Sequence, residues 1–272
     1  MEPYQAKNSG HMNIPAFLIN LDESEERFRS ASLELSKADV YFVRVPAFDG
    51  RNIRPEEINE YDESAALKAM GRELSGGEIG CYKSHIIALQ KFIDTGECCG
   101  LIFEDDIEVN PLLLKDVRRL IELFNEHSVD WDVIHLGARS SKLCRGLGWV
   151  GPLPSGSHIL HAHYFPQGML GLMWSRKGAI EFLAQRTKIY MPIDRECRKV
   201  LTRNDRGYGF WPGLVKHRDV GSDIDNKEEP SQRTGRHWSY GPKKQLRLFS
   251  NKFHAFKNYR KGVKASNTNS SS

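Results

Sequence analysis

A mainly parallel α/β sheet with helices on both faces is the fold class that this 272-residue sequence predicts. Three observations point to it. Short apolar runs alternate with amphipathic stretches from about residue 14 to 137, the pattern of strands laid side by side by crossover helices. The runs are short and wholly apolar, which suits buried strands. One of them ends in a cluster of charge: "LIFEDDIEVN" (101–110) puts Glu104, Asp105 and Asp106 directly after a buried stretch. In open α/β sheets, ligands bind beyond the carboxyl ends of the strands.

The elements follow in order. "IPAFLINL" (14–21) reads as a buried strand. Asp22 and Glu25 form a D-x-x-E capping signal that opens a helix to about residue 37, with Phe28, Leu33 and Leu35 as apolar members. "VYFVRVPAF" (40–48) is β-branched and aromatic, a second strand closed by the Asp49-Gly50 turn. A polar, helical excursion covers 55–70. Residues 75–96 read as a loop and then a helix, with Ile86, Leu89, Phe92 and Ile93 at helical spacing. "CGLIFE" (99–104) is a strand. Asn110 and Pro111 suit the cap and first position of the next helix, whose buried face is Leu113, Val117, Leu120, Ile121 and Phe124. "DVIHLG" (132–137) is a further strand, 138–160 a Gly/Ser/Pro-rich long loop, and "GMLGLMWS" (168–175) leads into a helix to about Arg186. "MPIDRECRKVLTR" (191–203) is a short helix after Pro192, and the last eight residues are low-complexity and expected to be disordered.

Composition sets limits. Hydrophobic content of 39% and charged content of 27% describe a globular protein with a sizeable core. No apolar stretch approaches the roughly 20 residues that span a bilayer. The first eleven residues lack an apolar signal region, and "SGHM" (9–12) reads as a cloning remnant, so residues 1–11 are set aside. Five cysteines without a CxxC pair argue against a disulfide framework or a cysteine zinc site, and for a reducing cytoplasm. Residues 231–264 hold ten of the 39 Lys/Arg and no Asp/Glu, so the remainder carries 29 basic against 35 acidic residues. The basic character belongs to the C-terminus, where Leu246, Leu248, Phe249, Phe253 and Phe256 interleave with Lys and Arg. That suits a basic amphipathic segment on an anionic membrane, or a helix packing its aromatics on the body. No nucleic-acid reader motif is present.

Clustered carboxylates become favourable when a divalent cation lies between them, and hard oxygen ligands suit Mg²⁺ or Mn²⁺. In an extended segment Glu104 and Asp106 project to one side and Asp105 to the other. Such a pair can hold a metal–diphosphate, and an acidic solvated turn is the plainer alternative.

Six blocks occur in order: "INLDESEER" (19–27), "GGEIGCYKSH" (76–85), "LIFEDD" (101–106), "GMLGLMWSRKGAIEFL" (168–183), "MPID" (191–194) and "VGSDI" (220–224). Together they resemble glycosyltransferase family 25, the lipooligosaccharide galactosyltransferase type, over about residues 14–226. The resemblance implies a GT-A-like fold, a UDP-sugar donor and transfer with inversion. Where such proteins often carry Tyr in the fourth block, this chain has Met173 and Trp174, which bears on the acceptor more than on the donor.

The chain divides into three expected regions: residues 1–11 as remnant, 12–230 as the transferase domain that the resemblance implies, and 231–272 as a basic, partly disordered tail. It implies Mn²⁺ or Mg²⁺ held by Glu104 and Asp106, with His217 a further ligand and Asp105 on ribose or donor sugar. Arg27 would meet the uracil or a phosphate, since its planar fork matches phosphate oxygens; an exposed helix arginine is the alternative. Asn20 serves the nucleotide or a turn. Glu78, Lys83, Ser84 and His85 stand at a helix start, which favours anions; a helix-end charge for Glu78 and a structural histidine for His85 are the other readings. Asp194 is the first candidate for the base that takes the acceptor's proton, with Asp223 and Asp225 behind it. Gln167 and Gly168 line the acceptor side. The expected activity is transfer of a hexose, galactose first, to a lipooligosaccharide on the cytoplasmic face of the membrane. A metal-dependent phosphoester hydrolase and a non-catalytic membrane-binding module are the alternatives.

Overall fold

The structure, a computed structural model, describes residues 13–137, 143–218 and 240–269. In chain order it contains β1 (Ala16–Asn20), α1 (Glu25–Lys37), β2 (Phe42–Pro46), a 3₁₀ turn (Pro55–Glu57), α2 (Glu63–Met70), α3 (Gly76–Asp94), β3 (Cys99–Phe103), β4 (Ile107–Val109), α4 (Leu113–Glu126), β5 (Val133–His135), β6 (Cys144–Gly146), β7 (His158–Ala162), β8 (Gly171–Ser175), α5 (Arg176–Gln185), α6 (Ile193–Asn204), β9 (Gly207–Trp211), β10 (Val215–His217) and α7 (Tyr240–Asn269).

Eight strands form one sheet in the order β2-β1-β3-β8-β5-β9-β7-β6. Successive residues of a strand face opposite sides, and here both sides are covered. Ala16, Leu18, Leu101, Phe103, Ile134 and Met173 pack against α1 and α4 through Ala31, Leu35, Val117, Leu120 and Phe124. Phe17, Ile19, Ile102, Val133, Leu172 and Trp174 face α2, α3, α5 and α6 through Met70, Tyr82, Leu89, Phe92, Phe182 and Leu201. A strand with no wet face carries no polar alternation, which is why these segments read as unbroken apolar runs.

The α/β class with helices on both faces is as expected, but the sheet is mixed rather than mainly parallel. β1 runs parallel to β2 and β3, and β5 to β9. The other four neighbour pairs are antiparallel: β3 with β8, β5 with β8, β7 with β9, and β6 with β7. The physical reason lies in the connections. β7 and β8 arrive through stretches with no crossover helix, so nothing forces them parallel. β6 and β7 fall in or beside the segment expected to be a long loop; residues 138–142 of that segment lie outside the described residues. Met173 and Trp174 are core residues of β8, 0% and 1% exposed, so they support the sheet and do not face an acceptor.

Three end signals also read differently. The α1 N-cap is Ser24, with no side-chain cap, while Asp22 pairs with Arg44 at 2.8 Å. Leu33 faces solvent. Asn110 accepts from Leu112 N at 2.9 Å in the turn before α4, and does not cap the helix itself. The C-terminal segment, expected to be partly disordered, is helical through Asn269 and rests on α2 and α6. Lys243 donates to Leu67 O at 2.8 Å, Arg247 to Ala69 O at 3.1 Å and Asn258 to Thr202 O at 2.9 Å.

Two features shape the sheet's functional edge. A short antiparallel pair, β4 with β10, sets His217 opposite Ile107, beside the acidic trio. The loop after β2 lies directly on the start of α3. A Cβ on Gly76 would stand 1.9 Å from Gly50 O, and one on Gly50 would stand 2.1 Å from Gly76 O. Only glycine at both positions permits that approach.

Candidate active site

Beyond the carboxyl ends of β1 and β3 lies a pocket lined by Asn20, Arg27, Phe48, Arg51, Cys81, Ser84, His85, Glu104, Asp105 and Asp106, among others. Local chemistry builds it. α3 begins with a capping box, in which Ser75 Oγ accepts from Glu78 N and the Glu78 carboxylate accepts from Ser75 N. That fixes the helix entry, and the glycine contact then lays the 47–51 loop over it. Ser84 Oγ accepts from Phe48 N at 2.8 Å and donates to Gly80 O at 2.7 Å, fastening the loop to the helix.

The three acidic side chains diverge. Asp105 turns toward β1 and α1: Asn20 Nδ2 donates to its Oδ2 at 2.6 Å, and Arg27 Nη2 lies 2.6 Å from its Oδ1. Arg44 holds Asn20 in turn, donating to its Oδ1 at 3.0 and 2.7 Å. Asp106 turns toward β10, with His217 Nε2 at 2.9 Å from its Oδ2 and Arg27 Nη2 at 3.5 Å. Glu104 turns toward α3, with His85 Nε2 at 3.1 Å and the Cys81 thiol at 3.6 Å from its Oε1.

Their electrostatics follow from burial and crowding. Burial pushes the Asp106 carboxyl up to about 6, the Glu104 charge adds to it, and His217 and Arg27 oppose. Burial also raises Asp105, against Asn20 and Arg27. Burial would raise Glu104, but the His85 hydrogen bond and charge outweigh it and hold that carboxyl below its usual value. Asp106 Oδ1 is buried with no hydrogen-bond partner among the described residues. A buried carboxylate oxygen left without a donor, among three acids, fits a cation binder. Asp106 and the imidazole of His217 beside it suit Mn²⁺ or Mg²⁺. Glu104, expected on their side, instead joins Cys81 and His85 in a group of ligand atoms within 4.8 Å of one another.

The pocket therefore gathers Asn20, Arg27, Ser84, His85, Glu104, Asp105 and Asp106, and His217 joins it through Asp106. Other candidates stand elsewhere. Besides its capping role, Glu78 takes two hydrogen bonds from Arg72, at 2.7 and 2.5 Å. Lys83 pairs with Glu60 at 2.9 Å and lies 4.5 Å from the Phe48 ring centroid. Asp194 is in the first turn of α6, outside the pocket lining, and its charge helps raise the buried Cys81 thiol after burial itself and Glu104. Gln167 Oε1 accepts from Arg198 at 3.0 Å, and Gly168 O accepts from His135 Nε2 at 3.2 Å. Asp223 and Asp225 lie outside the described residues.

Sequence reasoning missed Arg44, Cys81 and Arg51. Arg44 and Arg51 sit on β2 and its loop, where a basic residue at a strand end looks like solvated surface. Cys81 carried a signal, since it lies one helical turn before His85. A second group, His161, His163 and Asp205, also went unread; its signal was the H-x-H spacing in "HILHAHY" (158–164).

Comparison with known proteins bears on this pocket. The sequence model of glycosyltransferase family 25 (LPS biosynthesis protein) matches residues 13–139, bearing out the resemblance read from the sequence. Procollagen galactosyltransferase 1 of Danio rerio is 25% identical over 201 residues, covering 71% of this chain and 32% of the relative. Inactive glycosyltransferase 25 family member 3 of Homo sapiens is 27% identical over 131 residues, covering 45% and 21%. Among solved structures, a glycosyltransferase involved in the glycosylation of the major capsid of PBCV-1 aligns at 11% identity with a TM-score of 0.39, over 78% of this chain and 95% of that one. The chain spans about a third of the length of the curated relatives it matches.

Proposed function

We propose that this chain, whose residues 13–139 match the model of glycosyltransferase family 25, transfers a hexose, galactose first, from a UDP-sugar to a glycan acceptor with inversion. The observation that carries the reading is the convergence of Asn20, Arg27, Glu104, Asp105 and Asp106 on one pocket at the ends of β1 and β3. The polar groups of that pocket suit a nucleoside diphosphate: a carboxylate for ribose hydroxyls, an arginine for phosphate, and clustered acids for a cation.

Glu104 and Asp106, with His217, would hold Mn²⁺ or Mg²⁺, which when bound supplies positive charge to the departing diphosphate. Asp105, braced by Asn20 and Arg27, would accept hydrogen bonds from ribose or donor sugar. Arg27 lies between Asp105 and Asp106 and would meet a phosphate there. Ser84 and His85 would form the α3 wall of the donor site. Glu78 supports that wall through the capping box, and Lys83 stands at its rim. Asp194 would take the proton of the attacking acceptor hydroxyl, with Gln167 and Gly168 on the acceptor side.

The outer face of α7 favours a membrane-borne acceptor. Leu246, Phe249, Phe253 and Phe256 recur at spacings of three and four residues and are all at least 51% exposed. Exposed Lys252, Lys257, Arg260 and Lys261 surround them. An apolar stripe edged with cations suits the headgroup region of an anionic bilayer. No helix among the described residues is long and apolar enough to cross a membrane; the proposed contact is peripheral, on the cytoplasmic face. The relative named above acts, by its name, on procollagen, so a collagen peptide belongs in the acceptor panel beside a lipooligosaccharide.

The test is UDP release from a panel of UDP-sugars, with and without Mn²⁺ and each acceptor, for the parent and Asp106→Ala. Metal-dependent release from one donor, lost in the variant, is the expected result. Phosphate release without acceptor would favour a phosphoester hydrolase instead. No turnover and no UDP binding in a folded protein would put this chain with its inactive relative.

A further inference from the structure

We propose that His161, His163 and Asp205 form a second metal site, for a borderline divalent transition ion such as Zn²⁺, that fastens the end of α6 to β7 beneath α7. His161 lies on β7 and His163 just beyond it, two residues apart and so on the same side of an extended segment. Asp205 is the C-cap of α6, in the left-handed region at φ 61°. That turn aims its carboxylate back at the two rings. His163 Nδ1 is 2.7 Å and His161 Nε2 3.4 Å from the same oxygen, Oδ1, and His161 Nε2 also donates to the Asp205 backbone oxygen at 2.7 Å, a bond that an ion would replace. All three ligand atoms lie within 4.8 Å of one another.

The spacing fits an ion. Ligand atoms about 2.0–2.1 Å from a tetrahedral metal stand roughly 3.3 Å apart, close to the His161–Asp205 separation, and the His163 bond need only open by about half an ångström on the same scale. Two imidazoles and one carboxylate are the donor set of Zn²⁺, Ni²⁺ or Co²⁺, and differ from the acid-rich pocket that suits Mn²⁺ or Mg²⁺. The rings are already oriented. His161 stacks on Tyr208 with centroids 4.7 Å apart and planes at 18°, and His163 meets the edge of Tyr259 on α7 at 5.7 Å. His163 is 1% exposed, while His161 and Asp205 are 21% and 28% exposed in their side chains. The site is therefore walled on one side and open to a metal and its water on the other. Such a site holds ligands that a metal finds preorganised, which is what raises affinity.

The experiment titrates EDTA-treated full chain with Zn²⁺ by calorimetry, and with Co²⁺ by visible absorption. It uses the parent, His161→Gln, Asp205→Asn and Asp106→Ala. The expected result is a Zn²⁺ site with intense four-coordinate Co²⁺ bands, present in the parent and in Asp106→Ala alike, and at least a tenfold loss of affinity at that site in both His161→Gln and Asp205→Asn. His161→Gln alters a partly exposed ring, so it reports on the site even if Asp205→Asn disturbs the α6 turn. Equal Zn²⁺ binding in parent and His161→Gln, or loss only in Asp106→Ala, would overturn the proposal and leave a pair of hydrogen-bonded histidines. The outcome is independent of whether UDP-sugars turn over.

Discussion

Asn20 Nδ2 donates to Asp105 Oδ2 at 2.6 Å, tying the end of β1 to the end of β3 across 85 residues of sequence. Both side chains are buried, and Arg44 fixes the amide by donating to its oxygen. Asn20→Ala would leave a buried carboxylate with one hydrogen-bond donor fewer. The expected cost is about 1–3 kcal/mol of stability, together with weaker donor binding because Asp105 loses its orientation. Urea denaturation beside UDP titration checks both. A loss under about 0.5 kcal/mol, typical of a surface change, would show that the bond does not organise the pocket.

How far the sequence discloses this site depends on the range of the interaction. The acidic trio after β3, the polar start of α3 and the first-block Asn20 and Arg27 are legible because each sits at the end of an element marked by local patterning. Their partners are not. That Asn20 serves Asp105, or that His217 meets Asp106, depends on which strands are neighbours, and no local pattern states this. The mixed sheet is hidden for the same reason: β7 begins inside a stretch that reads as loop, and nothing in the apolar run of β8 marks its direction. Glu78 shows the converse. Its S-x-x-E spacing is a local signal, and the structure gives that carboxylate local work.

Asp106 is a carboxylate held where its charge is costly, since burial and Glu104 push it up to about 6. Asp106→Asn removes that crowding and keeps the shape. The expected outcome is a melting temperature equal to or above the parent's, with Mn²⁺-dependent UDP release reduced about a hundredfold or more, the scale on which charge-stabilising groups act. Calorimetry and initial rates on the same preparation test it. A clear fall in melting temperature with activity retained would assign Asp106 a structural role.

Glu78 separates support from binding. Its carboxylate accepts from Ser75 N at 3.0 Å and from Arg72 at 2.7 and 2.5 Å. Glu78→Ala loses the reciprocal half of the cap and the arginine pair. About 1–2 kcal/mol of stability should go with them. UDP affinity, measured well below the melting temperature, should change less than about threefold, a span of roughly 0.6 kcal/mol. A much larger change in affinity with normal stability would place Glu78 on the donor.

His135 gives the fold a pH dependence apart from the pocket acids. Gly137 N donates to its Nδ1 at 3.1 Å, and its Nε2 donates to Gly168 O at 3.2 Å, so the buried ring is neutral. Burial pushes its pKa down to about 4, against about 6.5 in the unfolded chain. Between those values the unfolded chain binds a proton that the folded chain does not. Stability is therefore full above about pH 6.5 and falls as pH drops toward 4, by up to about 3 kcal/mol. His135→Gln should lower stability at pH 7.5 but flatten this slope. Equal slopes for parent and variant in urea denaturation between pH 7.5 and 5 would rule the assignment out.

α7 has two faces with different obligations. Asn251 and Ala255 are buried toward the body, while Phe249 and Phe253 are 69% and 58% exposed on the other side. Replacing the two phenylalanines by Ser should therefore leave the melting temperature within about 2 °C, since surface changes are worth little. It should weaken binding to vesicles containing phosphatidylserine at least tenfold, because each ring contributes about 1.5–3 kcal/mol when taken out of water. Binding by the parent should also weaken as salt is raised from 50 to 300 mM, as the surrounding lysines and arginine require. Vesicle flotation read beside thermal unfolding distinguishes the cases. Unchanged flotation would remove the membrane from the proposed function, whereas a collapse in melting temperature would mean that the aromatic stripe belongs to the fold.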